Sequence, residues 1–135
     1  MLTRRGFAAC ALCAITGFAA SAADAQSGAA TSGLKRTILQ RTDGPMEGYE
    51  TIVVAVEIAP GAMVARHTHP GIESAYVIEG DTELTIDGEA PRRVGPGEAF
   101  QIPPARPHSA RNFDKTTKIA ATYVVEKGKP LASPA

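Results

Sequence analysis

The chain is poor in cysteine, carries no surplus charge of either sign, and has no apolar run long enough to cross a bilayer. Its two cysteines, Cys10 and Cys13, both lie within the first 25 residues. That segment is expected to be cleaved, so the mature protein should hold neither disulfides nor thiolate metal sites. A redox or zinc reading of Cys10-x-x-Cys13 fails because its surroundings are a hydrophobic signal helix. Lysine plus arginine balance aspartate plus glutamate at 14 each, and the two signs are scattered along the whole chain. Such a surface lacks the basic face that a nucleic-acid partner requires. The stretch from Phe7 to Ala20 falls short of the roughly 18 to 20 apolar residues of a membrane span, and no later run approaches that length. No stable membrane anchoring is expected. From Leu34 onward there is no convincing helical period.

What the N-terminus does contain is an address. Arg4 and Arg5 precede the apolar run, and Ala23-Asp24-Ala25 supplies small residues at the spacing of a signal peptidase site. Residues 1–25 are therefore expected to be a cleavable export signal, cut after Ala25, giving a periplasmic or secreted protein. Arg4-Arg5 followed by Phe7 resembles a bacterial twin-arginine signal, which implies an encounter with that export machinery and passage in a folded state. An ordinary secretory signal with a basic end is the alternative.

At 135 residues the chain has room for one ordinary domain. Residues 26–33 are small and polar and read as a flexible lead-in; 34–127 read as the domain, and 128–135 as a loose C-terminal arm. Within the domain, runs rich in Val, Ile, Thr and Tyr alternate with Gly, Pro and Asp. Strands are expected at 51–58, buried on both faces, and at 74–79, 82–86, 99–102, 108–113 and 117–126. The last should place Ile119, Ala121, Tyr123 and Val125 on one face. Asp87-Gly88 should make a tight hairpin returning through Glu89 to Val94. Short strands at this spacing indicate an all-β sandwich or barrel.

His67-Thr68-His69 offers two imidazoles on one face of an extended segment, roughly 7 Å apart along the chain. After the bend at Pro70-Gly71, Glu73 can turn back to the same point, and His108 arrives from a distant strand. These are the three histidines of the protein. Three imidazoles and a carboxylate suit one divalent transition metal ion, with iron or manganese ahead of nickel, copper or zinc, and do not suit calcium or magnesium. Four protein ligands would leave a position open for catalysis.

Gly61, His67, His69, Glu73 and Gly80, separated by five, one, three and six residues, resemble the first motif of the cupin superfamily. Gly97, Pro103, Ala105, His108 and Asn112 resemble the second, except that Ala105 stands where the family usually has glycine. The resemblance runs from about Val53 to Val125. It implies a double-stranded β-helix, a jelly-roll-like barrel with the metal inside on His67, His69, Glu73 and His108. It further implies turn roles for the three glycines, a structural role for Asn112, and frequent homodimers.

Alternation along the strands places Met63, Ala65, Ala75, Val77 and Ala110 on the ligands' face, so the cavity should be apolar and without internal cations. Arg66 and Arg111 should point away from it, Arg106 should lie in a loop within reach of its mouth, and a solvated surface role is expected for all three. The expected function is a metal-dependent oxidoreductase, a quercetinase-like dioxygenase acting on a small organic substrate, with Glu73 as ligand and catalytic proton acceptor. A non-enzymatic small-ligand or metal-binding cupin, and a metal-dependent lyase or decarboxylase, are the alternatives.

Overall fold

The computed structural model describes residues 32–135. The segment expected to be an export signal, both cysteines and most of the expected lead-in lie outside them. Ten strands form two sheets of five. The first contains β1 (Leu34–Asp43), β2 (Tyr49–Ile58), β9 (Thr117–Glu126), β4 (Gly71–Glu79) and β7 (Ala99–Ile102), in that spatial order. The second is ordered β10 (Ser133–Pro134), β3 (Met63–Thr68), β8 (His108–Asn112), β5 (Thr82–Ile86) and β6 (Arg92–Val94). All pairings are antiparallel, and the sheets close as the expected double-stranded β-helix.

Period-two alternation builds the core. On β2, Ile52, Val54, Val56 and Ile58 are buried while Thr51, Val53, Ala55 and Glu57 are half-buried. The segment expected to be buried on both faces is thus fully buried on one, as in an antiparallel sheet with one solvated side. Ile119, Ala121, Tyr123 and Val125 of β9 face the same interior, as their spacing predicts. At Gly71 the backbone of β4 lies so close to β9 that a Cβ would sit 2.0 Å from the Val124 carbonyl oxygen. Only glycine permits that approach, which sets Glu73 two residues later against Tyr123.

Asn112 pins the far end of the barrel. Its Nδ2 donates to the carbonyls of Ile58, Ala59 and Lys115 at 2.8, 2.9 and 2.8 Å, and its Oδ1 accepts from Thr117 Oγ1. The structural role implied by the second motif therefore has a physical basis: one buried amide satisfies carbonyls from two connections.

Three local expectations change. At the 87–88 turn only Gly88 takes positive φ, and although Glu89 N donates to Ile86 O, ladder pairing resumes only at Leu84 and Arg92. Pro91, with no N–H to give, explains the delay. β1 was not anticipated, because a register shift between Ile38 and Gln40 and an exposed surface erase its alternation. The tail 128–135 is not a loose arm: Leu131 is buried in the core, and Ser133 and Pro134 pair with Thr68 and His67.

Candidate metal centre

Between Val64 and His67 the β3 strand carries one extra residue relative to β8, so Ala65 and Arg66 together oppose Ser109. This bulge turns both Val64 and His67 inward, although they are three apart in sequence. It overturns the simple alternation: Met63 and Ala65 are exposed, whereas Ala75 and Val77 are in the core and Ala110 lines the cavity. Arg66 and Arg111 face out, as expected, pairing with Asp87 and Glu83. Arg106 is exposed and donates to the Asp87 carbonyl, the surface role expected for it.

The site is built from two cross-strand pairs. His67 lies opposite His108 in one sheet, and Glu73 lies opposite Tyr123 in the other. His69 follows the end of β3, with its carbonyl accepting from Ala105 N. All four predicted residues are buried: His69 is 2% exposed, His108 5%, Glu73 7% and His67 8%. Ligand atoms of the three histidines lie within 4.8 Å of one another. Glu73 Oε2 is 3.1 Å from His69 Nε2 and 3.4 Å from His108 Nε2. Two donors bound at about 2.0–2.2 Å to one ion stand about 3 to 4.4 Å apart, so this spacing fits a shared divalent ion.

The hydrogen bonds behind the rings strengthen the fit. The Nδ1 atoms of His67, His69 and His108 meet the carbonyls of Ala65, Leu131 and Arg106 at 2.8, 2.5 and 3.0 Å. A carbonyl only accepts, so each Nδ1 carries the proton and a neutral ring presents a bare Nε2. His69 Nε2 is buried and has no hydrogen-bond partner, even though Glu73 Oε2 is 3.1 Å away. Proximity without a bond follows when a lone pair faces a carboxylate. A proton or a metal ion must lie between the two atoms to hold them there. The residues therefore fit one divalent ion on His67, His69 and His108, with Glu73 in reach as a fourth ligand.

Burial and the neighbouring His108 push His67 down to about 4, which keeps it neutral at physiological pH. Burial alone would raise the Glu73 carboxyl, but the His108 and His69 imidazoles beside its Oε2 outweigh burial and hold that group well below the usual carboxylate range. Tyr123 moves the other way. Burial, then the charge of Glu73, raise its phenol, which stays protonated and donates to Glu73 Oε1 at 2.9 Å.

A pocket open to solvent reaches this centre between the sheets, with about 420 Å³ of space when the solvent at its mouth is included. Its wall is mainly apolar, as anticipated. One expectation fails: Arg36 of β1 lines it and places a cation inside. Sequence reasoning missed Arg36 because its strand was not recognised. It put Tyr123 on the correct face without a role, and a backbone carbonyl such as that of Leu131 leaves no sequence signal.

Comparison with known proteins agrees with this architecture. A dimethylsulfoniopropionate lyase, DddQ, from Ruegeria pomeroyi is 31% identical over 72 residues, covering 53% of this chain and 36% of that protein. Germin-like protein subfamily T member 3 of Arabidopsis thaliana is 37% identical over 79 residues, covering 53% and 34%. The chain thus matches about a third of the length of these curated relatives. Among solved structures, DddQ superposes with a TM-score of 0.62 at 23% identity, covering 71% of this chain and 49% of that one, a likeness of fold. The polyketide cyclase RemF from Streptomyces resistomycificus superposes with a TM-score of 0.60 at 25% identity, covering 73% and 70%. Residues 54–126, more than half of the sequence, match the cupin domain, and the chain belongs to that family.

Proposed function

We propose that this chain is a metal-dependent lyase acting on a small organic substrate inside the barrel, with His67, His69, Glu73 and His108 as the ligands of one divalent ion. The observation that carries this reading is the buried Tyr123–Glu73 hydrogen bond beside three converging imidazoles. When bound, the ion supplies Lewis acidity for negative charge developing on the substrate. The protein's own groups do the rest. Tyr123 fixes Glu73 Oε1, leaving Oε2 turned toward the imidazoles, and Glu73 is the proton acceptor when a C–H bond of the substrate is broken. The apolar wall excludes water, which strengthens each electrostatic contact inside.

The lyase reading takes precedence over the dioxygenase expectation because one relative named above is a lyase, and because elimination needs only a proton acceptor and a charge stabiliser. Iron and manganese remain the first candidates for the ion. The experiment is turnover of a panel of small β-substituted organic acids by metal-loaded protein, with and without oxygen. Alkene formation unaffected by removing oxygen supports the lyase. Turnover that stops without oxygen returns the function to a dioxygenase, and tight binding without turnover makes the barrel a container.

Export is proposed on the strength of Arg4-Arg5 and the small residues before Gln26. A protein folded before crossing the membrane loads iron or manganese away from the copper and zinc that bind more tightly. Replacing both arginines by lysine should abolish export through the twin-arginine route; unchanged export with the same metal content argues for an ordinary signal.

A further inference from the structure

Arg36 is the single Lys or Arg among the described residues that line the cavity, and it enters from β1, opposite the sheet that carries His67 and His108. Leu34 and Arg36 are the two positions of that strand withdrawn from solvent, as period-two alternation requires. The Tyr123 phenol lies beside the Arg36 guanidinium, but the Arg36 Nε is buried without a hydrogen-bond partner. Such a group costs stability unless something completes it. No carboxylate of the described residues lies within ion-pair distance of Arg36: Glu50, the other buried acid, is taken by Arg41. Glu73 faces other neighbours, Tyr123 through Oε1 and His69 and His108 through Oε2.

We infer that Arg36 is the anchor for a carboxylate of the substrate, so that the cavity selects small organic acids with one carboxylate at Arg36 and an apolar or neutral remainder along the wall toward the histidines. This rests on the metal-dependent reading above and narrows it to a substrate class. A planar guanidinium fork matches a carboxylate with two parallel hydrogen bonds. One fixed cation balances one negative charge; a dianionic phosphate would leave an excess beside Glu73. The apolar residues Val56, Ile58, Leu84 and Phe100 suit a short carbon chain and offer nothing to a polyhydroxylated sugar.

The test compares propionate and butyrate with their neutral amides for binding to the full-length, zinc-loaded protein, by ligand-observed NMR titration, alongside Arg36→Gln and Arg36→Lys. The acids should bind at least about tenfold more tightly than the amides. Arg36→Gln should lose most of that preference while keeping its zinc content, and Arg36→Lys should recover part of it. Equal binding of acid and amide, a preference unchanged in both variants, or stronger occupancy by inorganic phosphate would overturn the inference. If Arg36→Gln does not fold, the lysine variant decides alone: it must show a reduced preference, since an ammonium lacks the fork. Selective acid binding without turnover of any acid leaves the inference standing and removes the lyase. Turnover with no acid preference does the reverse.

Discussion

Tyr123 and Glu73 are direct cross-strand partners on β9 and β4, and the phenol donates to the carboxylate at 2.9 Å inside the barrel. One carboxylate oxygen is thereby fixed and the other is left facing the imidazoles. Tyr123→Phe removes the donor and leaves a buried acceptor unsatisfied, at a cost of about 1–3 kcal/mol. The variant should unfold at lower denaturant concentration, keep its metal, and lose activity more than substrate affinity. Undiminished turnover would deprive Tyr123 of its orienting role.

Acid should weaken the metal-free protein in two stages. Burial lowers His67 from 6.5 to about 4, so between those values the unfolded chain takes up a proton that the folded chain refuses. Stability therefore rises with pH across this window and is lost as pH falls from about 6.5 toward 4. The Glu73 carboxyl, held low by His108 and His69 against its burial, adds stability that is present above its unfolded value near 4.5 and is lost below it. Denaturant titrations with chelator at pH 7, 5.5 and 4.5 should show a steady decline, and His67→Asn should flatten the upper part. A level profile contradicts the assignment.

The C-terminal segment should matter to the metal. Leu131 packs into the core, and its carbonyl receives the Nδ1 proton of His69. Deleting 129–135 removes the group that orients that ring, so metal affinity should fall about 10- to 100-fold. Competition with a chelator of known affinity measures it; a truncated protein that binds metal as tightly as the full chain would show the tail to be dispensable.

Ala105 has φ of +56°, in the left-handed region, at the position where the second cupin motif carries glycine. An L-residue there costs roughly 1–2 kcal/mol, while glycine gives back about 0.4–1 kcal/mol through the freer unfolded chain. Ala105→Gly should be neutral or more stable by up to about 1.6 kcal/mol. A clear loss in thermal melting would mean that the methyl group makes a compensating contact.

The residues that make the fold and the site differ in how far the sequence announces them. His67 and His69 are legible because an extended chain repeats every two residues, and Glu73 and His108 because their spacing to glycines follows a known pattern. The β3 bulge is not legible: an extra residue changes which side chains point inward without altering the composition of the run, and Met63 and Ala65 are misplaced as a result. β1 hides for a similar reason, its register shift breaking the alternation, and Arg36 hides with it. Leu131 acts through its backbone, and no side-chain pattern reports a carbonyl.

The central claim is that three imidazoles and Glu73 hold one divalent ion, and elemental analysis of the purified protein tests it most directly, with His108→Ala measured in parallel. One equivalent of iron, manganese or another divalent transition metal per chain, lost in the variant, is the predicted result. Absence of metal from both proteins after purification from metal-replete cells, or one equivalent retained in the variant, would contradict it.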